Sequence, residues 1–193
     1  VAAGPLRLAI TPADVRTGGR VALGVGGAPG RGTVRFEADP WPFDGVWTPA
    51  GEATATAYGD AALSVRPDRN TRYRALSGEA ATAPRTAYAE LAVTVDRQRV
   101  AGGRFREIVT MTGPADAALA SRTMHFYVPA GRRTLRRARS AAIRTLAPGR
   151  FRASAVLRGR RVLFCYREPS PDAFGRPVAG DDDCGARRLR VTG

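Results

Sequence analysis

The sequence predicts an all-β protein, two antiparallel β-sandwich domains in tandem, residues 1–90 and 91–193. Three observations predict it. First, the chain repeats itself. Gly18-Gly19-Arg20, Val34-Arg35-Phe36 and Gly59 recur as Gly102-Gly103-Arg104, Met124-His125-Phe126 and Gly149, at offsets of 84, 90 and 90 residues. That period is too long for a solenoid unit and suits two copies of a whole small domain. Second, apolar and polar residues alternate with a period of two, as in a sheet with one buried face. Third, 22 glycines and 14 prolines are spread along the chain, which suits many turns rather than long helices.

The first half reads as strands throughout. Leu6-x-Leu8-x-Ile10 alternates and Thr11-Pro12 ends it; Val21-x-Leu23-x-Val25 follows, closed by Gly26-Gly27. Val34-x-Phe36 puts Arg35 and Glu37 on the opposite face. Ala53-x-Ala55-x-Ala57 and Ala61-x-Leu63-x-Val65 flank Tyr58-Gly59-Asp60, which reads as a hairpin turn. Pro67-Asp68-Arg69-Asn70 is a further turn, with proline presetting φ and asparagine suited to a left-handed position. Thr71 to Ser77 is the next strand. Residues 39–49 place both tryptophans and three prolines in one connection. Trp41, Phe43 and Trp47 there form either an exposed aromatic platform for a sugar or proline-rich ligand, or a plug at one end of the sandwich.

At the junction, Thr86 to Val95 is one run containing Tyr88, Leu91, Val93 and Val95, with no Gly/Ser linker. The second half repeats the scheme. Phe105-x-Glu107-x-Val109-x-Met111 is a strand; Met124, Phe126 and Val128 face inward, His125 and Tyr127 outward; Phe151-x-Ala153-x-Ala155-x-Leu157 and Val162-x-Phe164 follow. Leu135, Ala138, Ala142 and Leu146 fit a helix by spacing. The repeat, which matches 142–149 to 52–59, favours a strand there.

Trp41-Pro42-Phe43, Gly59, Leu63-Ser64-Val65-Arg66-Pro67 and Asn70-Thr71-Arg72-Tyr73-Arg74 form a pattern. It resembles the immunoglobulin-like (Ig-like), fibronectin-type-III-like repeats of secreted actinobacterial proteins. There a Gly…Phe-x-Val-x-Pro-x-x-Asn-Thr-x-Tyr-Arg segment makes two consecutive strands and their turn. Tyr73 is also similar to the tyrosine of the Ig tyrosine corner. The resemblance covers most of the first half and about half of the second. The second half departs from it, with Arg158-Gly159-Arg160-Arg161 for Pro67-Asp68-Arg69-Asn70 and Phe164-Cys165-Tyr166-Arg167 around an added cysteine. It implies Ig-like sandwiches in a secreted or surface-attached module serving as spacer, adhesin or carbohydrate-binding accessory. The fold does not choose among these.

Charge separates the halves. All 31 basic residues are arginine; residues 1–90 hold 10 against 9 acids, residues 91–193 hold 21 against 8, and no carboxylate occurs from Ala117 to Arg167. The absence of lysine also fits a GC-rich genome. The asymmetry is a solvating face or a contact for an anionic partner. The arginines in question are Arg132, Arg133, Arg136, Arg137 and Arg139 on a connection between strands, then Arg150, Arg152, Arg158, Arg160 and Arg161 along the next hairpin. Arg150 and Arg152 share the strand face opposite Phe151 and form a row. Aromatics for base stacking are sparse, so an anionic cell-envelope polymer or glycan fits better than sequence-specific nucleic acid.

Cys165 and Cys184, 19 positions apart, read as a disulfide of an exporting compartment, with two buried thiols as the alternative. The chain starts at Val1 rather than methionine; a trimmed secretory signal or a boundary within a longer chain would explain it. Catalytic signatures are absent. The lone histidine, His125, has no Gly-x-Ser-x-Gly elbow beside it, and the glycine-rich stretch from Gly24 to Gly32 lacks a phosphate-loop lysine. Asp172 and Asp181-Asp182-Asp183 offer oxygen ligands without calcium-loop spacing. The expectation is a non-enzymatic extracellular structural or adhesive module, with no metal or cofactor; the alternatives are a polyanion- or glycan-binding module using the arginine-rich face of the second domain, and an accessory domain of a larger secreted enzyme.

Overall fold

The computed structural model describes residues 5–117, 119, 122–130, 135–158, 162–166, 173–174 and 190–192. Among these no helix occurs. The chain divides into two compact units; the first runs to Leu91 and takes in Ala173 and Phe174, and the second begins at Ala92.

The first unit contains β1 (Arg7–Thr11), β2 (Asp14–Arg16), β3 (Val21–Gly26), β4 (Thr33–Pro40), β5 (Thr48–Thr54), β6 (Ala61–Val65), β7 (Thr71–Ser77), β8 (Ala80–Ala81) and β9 (Arg85–Glu90). One sheet has the order β1-β3-β6; the other runs β2-β9-β7-β4-β5, with β8 against β7. Leu8, Val21, Leu23 and Val25 from the first sheet meet Val34, Phe36, Tyr73 and Ala75 from the second in one buried core. The period-two alternation supplies this, because successive side chains leave a strand on opposite faces. Burial pushes the Tyr73 phenol up to about 12, against the pull of the Thr71 hydroxyl.

The second unit contains β10 (Ala92–Val100), β11 (Arg104–Thr112), β12 (Thr123–Pro129), β13 (Leu135–Ala142), β14 (Arg144–Ala147), β15 (Arg150–Leu157), β16 (Val162–Tyr166) and β17 (Arg190–Thr192). Its sheets are β10-β11-β15-β14 and β13-β12-β16-β17. Lettered in chain order, these are A-B-E-D and C′-C-F-G, the strand partition of an Ig-like sandwich. Val109, Met111, Phe151 and Ala153 from one sheet, and Met124, Phe126, Val162 and Phe164 from the other, are buried. The rings of Phe126 and Phe164 lie 6.5 Å apart, centroid to centroid. Both units are Ig-like β-sandwiches.

The repeat has a physical counterpart. Gly59 sits just before β6 with φ 86°, and Gly149 just before β15 with φ 68°. The Gly59 carbonyl accepts from Ala28 N at 3.1 Å, and the Gly149 carbonyl from Gly113 N at 2.9 Å. A Cβ on Gly59 would stand 2.3 Å from the Ala28 oxygen, and one on Gly149 2.5 Å from the Gly113 oxygen. Close approach and left-handed φ both demand glycine there.

Several expectations need correction. Tyr58-Gly59-Asp60 does not turn a hairpin: β5 pairs with β4 and β6 with β3, so the turn carries the chain from one sheet to the other. Asn70 is not in the left-handed region. It is buried, and its Oδ1 accepts from Ala89 N at 2.9 Å, while its own N–H donates to Ala173 O at 2.7 Å. The first unit is not wholly antiparallel, because β2 pairs parallel with β9. Tyr127, expected to face outward, is buried. Residues 135–142 form a strand and not a helix, so Arg136, Arg137 and Arg139 stand on β13 rather than on a connection.

Candidate functional site

The site is built where β13, an edge strand, lies near the ends of β11 and β15. Along β12 and β13 the register is Phe126 opposite Arg139, Tyr127 opposite Arg137 and Val128 opposite Arg136, with a bulge that leaves Ala138 unpaired. In a regular strand, residues 136 and 139 would point to opposite faces. The bulge restores them to one face, shared with Phe126 and Val128, and turns Arg137 to the other. On the second sheet the last β11–β15 pair is Phe105 with Leu157, and Arg104 and Arg158 stand one step beyond it.

Arg104, Arg136, Arg139 and Arg158 together line a cleft of about 450 Å³, whose remaining wall is Val128, Ala138, Val156 and Leu157. That volume lies in the range of small-molecule sites, roughly 300–1,000 Å³. No ion pair joins any of the four guanidinium groups to another described residue. Arg104 Nε donates to the Ala101 carbonyl at 3.3 Å. Guanidinium stays charged at any physiological pH and presents a planar donor fork suited to carboxylate, sulfate or phosphate. A ring of such forks with no acidic partner among the described residues, beside Val128, Ala138, Val156 and Leu157, is suited to an anion carrying a less polar body.

The arginines read from the sequence therefore divide. Arg136, Arg139 and Arg158 meet at the cleft. Arg150 and Arg152 are exposed on the outer face of β15, with Arg144 of β14 directly opposite Arg152. Arg132, Arg133, Arg160 and Arg161 lie outside the described residues. Arg104 escaped the sequence reading except as a repeat landmark, because nothing local marks it as a neighbour of Arg158. The bulge at Ala138 has no sequence signal either.

Trp41, Phe43 and Trp47 are all half-buried. The Arg72 guanidinium lies 4.3 Å from the Phe43 ring centre, and that of Arg74 lies 4.3 Å from Trp47. Arg74 Nε also donates to Glu37 Oε2 at 2.7 Å. Cation–π contacts thus clamp the 41–47 connection to β7.

His125 Nδ1 lies 2.8 Å from Ser140 Oγ, a cross-strand pair away from the cleft wall. Among the described residues no His, Cys, Asp and Glu group is arranged to hold a metal, and no helix is long and apolar enough to cross a membrane. Cys165 is buried on β16, and no free cysteine occurs among the described residues. Cys184, Asp172 and residues 181–183 lie outside them.

No protein-family profile matches the chain, and no curated protein does. Among solved structures it is similar to bovine butyrophilin at 12% identity, covering 86% of this chain and 93% of that one with a TM-score of 0.37. It is similar to the human OSCAR ligand-binding domain at 13%, covering 90% and 95% with a TM-score of 0.31. Red sea bream transglutaminase matches at 15% over 85% of this chain and 29% of its own, with a TM-score of 0.38. Likenesses this low carry no argument about function; the fold rests on the strand order.

Proposed function

We propose that the protein is a non-enzymatic extracellular binding module whose second unit captures an anionic ligand. The observation that carries this reading is the cleft lined by Arg104, Arg136, Arg139 and Arg158. Four guanidinium groups without acidic partners among the described residues repel one another, and a bound oxyanion relieves that repulsion while taking bidentate hydrogen bonds. The apolar wall offers a surface for the ligand's body. The Ig-like frame holds Arg104, Arg136 and Arg139 on strands, with Arg158 one residue past the end of β15.

Extracellular placement, at the cell surface or secreted, rests on the proposed Cys165–Cys184 disulfide and on the resemblance to secreted repeats. The natural ligand on this reading is an anionic cell-envelope polymer or glycan. Calorimetric titration of the full chain with sulfated and uronate disaccharides at low salt tests it. Binding that disappears in Arg136→Ala/Arg139→Ala, with the thermal midpoint of that variant preserved, is the expected result. No binding at low salt would remove the cleft as a site and leave a structural or adhesive spacer.

A further inference from the structure

Six arginines share one face of the β10-β11-β15-β14 sheet. The β11–β15 register puts Arg106, Ile108, Thr110 and Thr112 on the same side as Val156, Ser154, Arg152 and Arg150. Arg104 and Arg158 extend that face at the cleft, and Arg144 joins it opposite Arg152. They fall into two groups. Arg104, Arg106 and Arg158 stand at the cleft end, and Arg144, Arg150 and Arg152 at the other. Between the groups the face carries Ile108, Thr110, Ser154 and Val156, all uncharged. Six residues along β15 separate Arg152 from Arg158, about 20 Å at strand rise.

This spacing is not neutral for the fold. Like charges directly opposite on neighbouring strands destabilise a sheet, and Arg144 faces Arg152 without an ion pair to any described residue. The one carboxylate on the strands of this face is Asp96 on the far edge strand, where its Oδ2 accepts from Gln98 Nε2 at 2.9 Å.

Resting on the cleft reading above, we infer that the ligand is a linear anionic glycan. One acidic group is anchored in the cleft, and the chain continues along β15 to the Arg144–Arg150–Arg152 group. The Thr110 and Ser154 hydroxyls between the groups are suited to sugar hydroxyls. The face has no aromatic side chain on which a nucleobase would stack, which separates this ligand from a single-stranded nucleic acid. Carboxylate, sulfate and phosphate share the chemistry the guanidinium forks recognise, and the experiment distinguishes them.

The test is calorimetric titration of the full chain with glycan oligomers of graded length. Uronate, sulfated and phosphorylated series are run across a salt series, beside single-stranded DNA of matched charge. Affinity should rise with length until the oligomer spans both groups, and one glycan series should bind tightest. Arg150→Ala/Arg152→Ala should leave the disaccharide unaffected and weaken the spanning oligomer about tenfold or more. It should also lower the log–log salt slope by about 1.5 to 2. Arg136→Ala/Arg139→Ala should weaken both lengths. A length-independent affinity, or an equal loss in the control Arg7→Ala/Arg35→Ala on the first unit, would overturn the track while leaving the cleft standing. DNA binding as tight as the best glycan overturns the ligand class. Absence of disaccharide binding overturns the cleft reading itself.

Discussion

Arg97 brings its Nε to 3.1 Å from Oε1 of Glu107, a carboxylate with no exposed surface. The two are directly opposed on β10 and β11. The contact is one of charge: neither Glu107 oxygen accepts an aligned hydrogen bond. Arg97 also lies 4.1 Å from the Phe105 ring centre. Glu107 shares its strand face with the buried Val109 and Met111, so an ionisable group stands in the core layer of the second unit.

Burial holds the Glu107 carboxyl above its ordinary value, Arg97 pulls the other way, and Asp96 adds to the rise. The folded state therefore binds this proton more tightly than the unfolded chain. The stability it contributes is complete below the unfolded pKa of 4.5 and is lost as pH rises through the raised folded value. Urea unfolding across that window should show wild-type stability falling with pH and Glu107→Gln lacking that fall. Superimposable profiles would show that Glu107 titrates alike in both states.

Arg97→Met should leave the buried carboxylate without its counter-charge. The expected cost at pH 7 is about 3 kcal/mol, the lower end for a broken buried pair, because Arg97 itself reaches solvent. Below the carboxylate range the cost should shrink, since a protonated Glu107 needs no partner. Denaturant midpoints at pH 7 and at low pH check both statements.

Gly59→Ala and Gly78→Ala both place a side chain at positive φ, but only the first meets backbone. Around Gly78 there is nothing within 4 Å of an added Cβ, whereas at Gly59 the Ala28 oxygen stands at 2.3 Å. Gly78→Ala should cost about 1 kcal/mol from backbone conformation alone. Gly59→Ala should cost about 3 kcal/mol or more, because strands on both sides fix the clash. Equal midpoints for the two variants would contradict this.

Asn70→Ala should destabilise the first unit by about 1–3 kcal/mol. It strands the buried amide of Ala89, which then has neither the Asn70 oxygen nor water. Thermal unfolding reads the loss. Hydrogen exchange at Ala89 should accelerate while amides in the centre of β4 change only with the global stability.

Thiol titration of the unfolded, unreduced protein should find no free thiol. Reduction should then destabilise the protein by about 3 kcal/mol, the chain-entropy value for a loop of this length. Two titratable thiols before reduction would remove the disulfide and weaken the extracellular placement that rests on it.

Much of the fold was legible because one physical rule generates it. Val21-x-Leu23-x-Val25 and Phe151-x-Ala153-x-Ala155 declare a strand and its buried face together. Gly59 and Gly149 declare the repeat because a left-handed turn against a neighbouring carbonyl admits no other residue. The same alternation already placed Glu107 among core residues, and the structure shows that it belongs there. Strand partnership was less legible. The Tyr58–Asp60 turn has the composition of a hairpin, yet it moves the chain between sheets, because composition reports local φ and ψ but not which sheet receives the next strand. The 41–47 aromatics were visible as unusual, but their arginine partners lie on β7, about thirty residues away in sequence.

By itself the sequence determined the all-β class, the doubled architecture and the surplus of arginine in the second half. These follow from periodicity, glycine placement and charge, which are local or additive properties. Only the tertiary structure decided that Arg104, Arg136, Arg139 and Arg158 surround one cleft while Arg152, about 20 Å back along β15 from Arg158, stands with Arg144 and Arg150 in a second group. A one-residue bulge at Ala138 sets the face on which two of them stand, and strand register brings the others beside them. Both are cooperative properties of paired strands, and no single segment of the chain carries them.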